Sequence, residues 1–267
     1  MTPKRPSFIL PFFLATFGWS WTFWVPAALW GDKAPTFLVP LFFGLGGLGP
    51  MIFGILFTYR EGKGDYWKRV LDWRRMGWKG WCLSLLAVPF LTCLAGGLDR
   101  LLGGAGLDWD DKTLQLFAGT LPLPLALLTF LGFLLCFGPI PEELGWRGYA
   151  LDRLRAHWGT FKGSLLLGLL WGLWHLPLFF MKGAYQQTLG VGTLGFFLFF
   201  AAIVPLAVIM TWIYDLTGRS ILSAILFHFS VNATGTVAAH GNGVELWRVL
   251  FCWAWALAVP LPRKGRG

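Results

Sequence analysis

Eight apolar runs take up most of this chain, at about residues 8–30, 37–59, 80–98, 122–150, 163–181, 192–214, 220–238 and 246–262. A helix needs roughly 20 residues to cross the ~30 Å hydrocarbon core of a bilayer, and each run is about that long. The runs are continuously apolar rather than alternating, which selects helices over a β-barrel. The predicted fold is therefore all-α, a polytopic membrane protein of about eight transmembrane helices. It forms a single membrane domain over residues 1–267. Only 13% of the residues are charged and the mean hydropathy is +0.61, whereas soluble domains carry about 25% charged residues. No soluble domain of useful size is left over.

The net charge of +9 is explained by topology, and no nucleic-acid-binding motif accompanies it. With a cytoplasmic N-terminus, the inner segments hold Lys4, Arg5, Arg60, Lys63, Lys68, Arg69, Arg74, Arg75, Lys79, Arg153, Arg155, Lys162, Arg219, Arg263, Lys264 and Arg266. The outer segments hold only Lys33, Arg100, Lys112, Lys182 and Arg248. This obeys the positive-inside rule and predicts that both termini are cytoplasmic. The run from Phe8 to Trp30 is too long for a cleaved signal peptide and reads as the first span. The Arg60–Lys79 loop mixes basic residues with Tyr66, Trp67, Trp73 and Trp78, a composition suited to lipid headgroups. Asp108, Asp110 and Asp111 lack calcium-loop spacing, and Thr113–Leu121 reads as interfacial. Cys82, Cys93, Cys136 and Cys252 lie in apolar runs without a CxxC pair, so buried free thiols are expected.

Against this background three polar stretches need an explanation. The first is Glu142-Glu143 followed by Arg147, the second Trp171 to His175, the third His228 to Asn232. Ionisable groups within a span cost roughly 3 kcal/mol or more each and mark function by default. Glu143 and Arg147 are four apart and can pair on a helix, which leaves Glu142 over. At a rise of 1.5 Å per residue, Glu142, His175, His228 and Asn232 each lie roughly 14–20 Å from a basic anchor at the inner surface. Four polar groups on three spans thus reach one depth. His228 and Asn232 share a helix face, while Ser230 points elsewhere, so no serine nucleophile is offered. Gly168 and Gly172 allow a second helix to approach closely beside His175. Tyr149, Trp146, Trp171 and Trp174 read as cavity wall, and His157 and His240 as loop residues.

Peptide hydrolysis needs a base for water, donors for the oxyanion and a proton for the leaving amine. Glu142 assisted by neutral His175 can move the proton, and Asn232 is a neutral donor. Glu142, His175 and His228 would also suffice for a catalytic zinc, although no HExxH is present. A metal-independent, glutamate-type mechanism is favoured, without cofactor, and zinc remains the alternative.

In order and spacing, Glu142-Glu143-x-x-x-Arg147, Trp171-x-x-x-His175 and His228-x-x-x-Asn232 resemble the CPBP family. That family comprises the CAAX proteases and bacteriocin-processing or immunity proteins, including type II CAAX prenyl endopeptidases. The motifs span residues 142–232. The second motif commonly begins with Phe in the family, where this chain has Trp171. The resemblance implies eight helices around a conical intramembrane cavity open to the cytoplasm and to lipid. It implies an intramembrane endopeptidase in which Glu142 with His175 activates water and His228 with Asn232 stabilises the oxyanion. Glu143 and Arg147 would support the site. The expected partners are membrane lipids and a peptide or lipidated-protein substrate near the cytoplasmic leaflet, in a prokaryotic cell membrane. The alternatives are a non-catalytic self-immunity or scaffold protein of the same fold, and a proton-coupled transporter. A transporter should show inverted repeats, and none is visible.

Overall fold

A computed structural model describes residues 9–33, 35, 37–109 and 121–260. Lys4, Arg5, Asp110, Asp111, Lys112, residues 113–120, Arg263, Lys264 and Arg266 lie outside the described residues. The chain is helical almost throughout, and each of the eight apolar runs contains helix. In order the helices are α1 (Ile9–Trp30), α2 (Leu38–Gly47), α3 (Gly49–Glu61), α4 (Tyr66–Leu71), α5 (Gly77–Leu101) and α6 (Leu123–Cys136). There follow α7 (Pro139–Gly145), α8 (Leu151–Trp158), α9 (Thr160–Trp174), α10 (Tyr185–Leu189), α11 (Leu194–Leu216), α12 (Ile221–Val237) and α13 (Asn242–Ala258). Among the described residues four helical stretches are long and apolar enough to cross a membrane: Leu38–Glu61, Trp73–Leu101, Pro124–Trp158 and Leu194–Leu216. α12 is a shorter apolar helix of 17 residues. The chain is an integral membrane protein of the all-α class.

The run over 122–150 does not form one uninterrupted helix. α6 ends at Cys136, and α7 starts again at Pro139 after a turn through Phe137 and Gly138. Pro139 and Pro141 have no amide proton to donate back into α6, so the helix must restart. α7 then passes through one π turn, Trp146–Ala150, into α8. A π turn lets one extra residue into the helix and re-aims the side chains around it. The Tyr66 hydroxyl braces this point by donating to the Leu144 carbonyl at 2.8 Å. Burial, opposed in part by the Arg69 charge, holds the Tyr66 phenol far above its ordinary range, so it stays a donor.

Helix packing is close wherever glycine permits. α3 lies backbone to backbone on α7: a Cβ added at Gly54 would come 2.7 Å from the Gly145 Cα and 2.9 Å from the Leu144 carbonyl oxygen. α9 lies on α11 in the same way, with a Cβ at Gly168 2.9 Å from the Val204 Cα and one at Gly172 3.1 Å from Ile203. The close approach expected beside His175 is therefore present. α5 covers α12, and α11 packs on α13.

The two ends of the molecule differ in chemistry. At one end Arg69 pairs with Asp152 at 3.1 Å and donates to the Tyr214 hydroxyl at 2.5 Å. Arg155 pairs with Asp215 at 2.5 Å, Arg219 pairs with Asp152, and Arg75 donates to the Gly218 carbonyl at 3.2 Å. Three segments expected on the inner side thus meet in one ion-pair network. At the other end two segments expected on the outer side pair as a short antiparallel ladder. It joins β1 (Leu107–Trp109) to β2 (Ala238–His240), with Asp108 opposite Ala239.

The cysteines depart from expectation. All four are free, but only Cys252 is buried, whereas Cys82, Cys93 and Cys136 are exposed. An apolar residue on a membrane helix has two apolar surroundings, the protein interior and lipid, and hydropathy does not separate them.

Candidate active site

The site is built where α7, α9 and α12 meet. Glu142 stands in the first turn of α7, its amide donating to the Gly138 carbonyl at 2.9 Å. That turn exists because of the prolines that interrupt the run. Glu143 follows and turns away from Glu142 into the protein. Both of its carboxylate oxygens accept from Arg147 Nη1 at 2.9 Å, the i, i+4 pair expected from spacing. Oε1 of Glu143 is also 2.9 Å from Nδ1 of His228, which comes across from α12. Glu143 and Arg147 are wholly buried, at 0% exposure, while Glu142 and His175 retain 7% and His228 5%.

His175 caps the C-terminal end of α9, and its Nδ1 lies 2.8 Å from the Trp171 carbonyl. A carbonyl only accepts, so Nδ1 carries a proton and Nε2 is the nitrogen left for chemistry. The ring is held edge-on by Trp174 at 4.9 Å and Phe199 at 5.4 Å. Trp174 is fixed in turn by donating to Ser20 on α1 at 2.8 Å. His175 lies within the electrostatic reach of both Glu142 and His228. Ser230, one turn-face away, donates to the Leu85 carbonyl at 2.9 Å and takes no part.

Gly138 shows how α12 meets α7. A carbon-sized point beside its Cα lies 3.1 Å from Asn232 Nδ2 and 3.8 Å from Glu142 Oε1. A carboxylate oxygen and an amide donor from two different helices thus face one spot. Arg147, Glu143 and His228 form one bonded group, and Asn232 and Glu142 meet at Gly138.

Two expectations need revision. Trp171 was read as cavity wall, yet its indole Nε1 donates to Glu142 Oε2 at 2.5 Å. The sequence signal was present in the tryptophan that replaces the commoner phenylalanine, since only the former has an N–H. The zinc alternative meets a geometric obstacle. Among the described residues no three of His, Cys, Asp and Glu form a group able to hold a metal ion. His228 Nδ1 and one Glu142 oxygen are already engaged with protein partners. The residues present do not fit a three-ligand zinc centre. Trp146 is fully buried, and Tyr149 donates to Glu61 at 2.6 Å. His157 is exposed on α8, with Nδ1 2.9 Å from the Arg153 carbonyl.

Comparison with known proteins agrees with this arrangement. A family model described as "Type II CAAX prenyl endopeptidase Rce1-like" matches residues 124–234, which include every residue of the site. The CAAX prenyl protease 2 of Methanococcus maripaludis is 30% identical over 227 residues, covering 83% of this chain and 81% of that protein. The likeness therefore extends well beyond the three motifs, into the N-terminal helices.

Proposed function

The chain belongs to the Rce1-like family of CAAX proteases, and from that premise we propose that it is an intramembrane endopeptidase using a glutamate-activated water. The observation that supports this reading is that Glu142 Oε1 and Asn232 Nδ2, from two different helices, both face Gly138. A hydrolytic site needs a base and an oxyanion donor close together, and these two side chains offer that pair.

In the proposed reaction, water attacks the scissile carbonyl carbon while Glu142 Oε1 takes its proton. Negative charge then grows on the carbonyl oxygen, where Asn232 Nδ2 donates to it. His228 donates from Nε2. Its Nδ1 is committed to Glu143, so the ring must carry both protons to do this, and its positive charge then rests against that carboxylate. Collapse of the tetrahedral intermediate breaks the C–N bond, and the proton held by Glu142, passed with the help of His175 Nε2, goes to the leaving amine. Arg147 holds Glu143 in place and does not touch the substrate.

The substrate is proposed to be a peptide or lipidated protein at the cytoplasmic leaflet. The ion-pair network of Arg69, Asp152, Arg155 and Arg219 gathers the basic loops at one end and supports a cytoplasmic assignment for it. An apolar cavity of about 270 Å³ opens between α5, α6 and α12, lined by Thr92, Phe130, Ala233 and Val237 among others. It supports a substrate with an apolar tail directed deeper into the bilayer.

Gly138→Ala tests the reading. The added methyl intrudes between Glu142 and Asn232, and it meets side chains rather than backbone. Cleavage of a reporter peptide by the purified variant is expected to fall at least about 100-fold, the scale set by misplacing reacting groups, with an unchanged thermal unfolding temperature. Full activity in this variant would move the reaction away from this point.

A further inference from the structure

One residue touches four of the ionisable groups of the site. The Trp171 indole Nε1 donates to Glu142 Oε2 at 2.5 Å. Its carbonyl accepts from His175 Nδ1 at 2.8 Å. Its ring meets the His228 ring edge-on at 5.1 Å, and the Arg147 guanidinium stands over it at 4.8 Å. The side chain is buried at 4% exposure. Trp171 and His175 are one helical turn apart, so a single rigid turn of α9 holds both members of the Glu142–His175 pair.

We propose that Trp171 is a positioning residue that fixes which oxygen of Glu142 and which nitrogen of His175 perform the chemistry. The inference rests on the endopeptidase reading and adds a specific division of labour to it. The indole N–H occupies Glu142 Oε2 and turns Oε1 towards the point beside Gly138. The Trp171 carbonyl holds the proton of His175 on Nδ1 and leaves Nε2 free. A phenylalanine at this position keeps the carbonyl and the ring but cannot hold Glu142. The tie therefore belongs to this chain and not to the phenylalanine form of the motif.

Two substitutions isolate the N–H. Trp171→Phe removes it with part of the ring, and 3-benzothienylalanine at 171 removes it alone, keeping the bicyclic shape if the phenylalanine variant folds poorly. Both are measured as full-length protein in detergent micelles with a reporter peptide. The expected result is a loss of about 10- to 100-fold in kcat, the scale of one hydrogen bond to a charged group, with KM within about twofold of wild type by the same argument that the indole does not contact substrate. An unchanged kcat overturns the proposal, and so does a raised KM with unchanged kcat, which marks a wall contact. A second reading needs no activity. With ¹⁵N-indole-labelled protein, the resonance lost in Trp171→Phe should lie far downfield in proton shift and return upfield in Glu142→Ala. An indole resonance indifferent to Glu142→Ala overturns the positioning role while the endopeptidase reading stands. A tie seen by resonance in a chain that hydrolyses no peptide overturns both, and identifies the endopeptidase reading as the one at fault.

Discussion

Replacing Glu142 with glutamine is expected to lower peptide cleavage by about 10⁴-fold, the upper range for loss of a general base, while the chain inserts and folds at wild-type levels. Glutamine keeps the size of the side chain, and its carbonyl oxygen can still accept the Trp171 indole N–H. What it loses is basicity at the oxygen that faces Asn232 across Gly138. The effect should therefore appear in kcat, with a small change in KM. The comparison across α7 is informative because the adjacent acid differs so sharply. Glu143 is wholly buried, bonded to Arg147 and His228, and has no route to water. The same substitution separates the competing functions. A self-immunity or scaffold protein keeps its protective effect without Glu142, and a protease loses it. The measurement is reporter cleavage alongside membrane expression of the two proteins.

The second large effect concerns stability. Arg147→Met should destabilise the chain by about 3–5 kcal/mol, because it leaves the Glu143 carboxylate buried with its main counter-charge gone. Both residues have 0% exposure, so neither solvent nor lipid headgroups can substitute. The pair itself is not a large net source of stability. Arg147 Nε and Nη2 have no hydrogen-bond partner among the described residues, so part of the desolvation cost is unrecovered. The double variant Glu143→Gln with Arg147→Met should consequently be more stable than Arg147→Met alone, since it buries no unpaired charge. Its activity should nevertheless stay low, because His228 loses the carboxylate that holds its Nδ1. Thermal unfolding in detergent and reporter cleavage, measured on the same three variants, check both halves.

Much of the site was legible because its signals are local or arise from cost. Glu142 and Glu143 stood out because acids in an apolar run are expensive. Glu143 found Arg147 by i, i+4 spacing, and His228 and Asn232 by sharing a face. Gly168 and Gly172 marked the seam between α9 and α11 through the packing rule for small residues. The parts that were not legible depend on which neighbour a residue finds. Pro139 and Pro141 mark a disturbance in the run, but only the structure shows that the helix stops at Cys136 and restarts at Pro139. The π turn at Trp146–Ala150 has no signature in composition. The exposed cysteines show the same limit, since lipid and protein interior look alike to a hydropathy scale. Trp171 looked like wall because an indole N–H acquires meaning only once Glu142 is placed opposite it. The union of Arg69, Asp152, Arg155, Asp215 and Arg219 joins three loops far apart in sequence, and charge counting had assigned them a side without assigning them to each other.

The central claim is that this constellation hydrolyses a peptide bond with an activated water. Its most direct test is product analysis by mass spectrometry, using the purified chain in liposomes, in H₂¹⁸O, with farnesylated and unmodified C-terminal peptides. The account predicts one internal cleavage, with a single ¹⁸O in the newly formed carboxylate, present for wild type and absent for Glu142→Gln. Equal cleavage by wild type and Glu142→Gln, or no cleavage of any peptide by a folded wild-type chain, would contradict it.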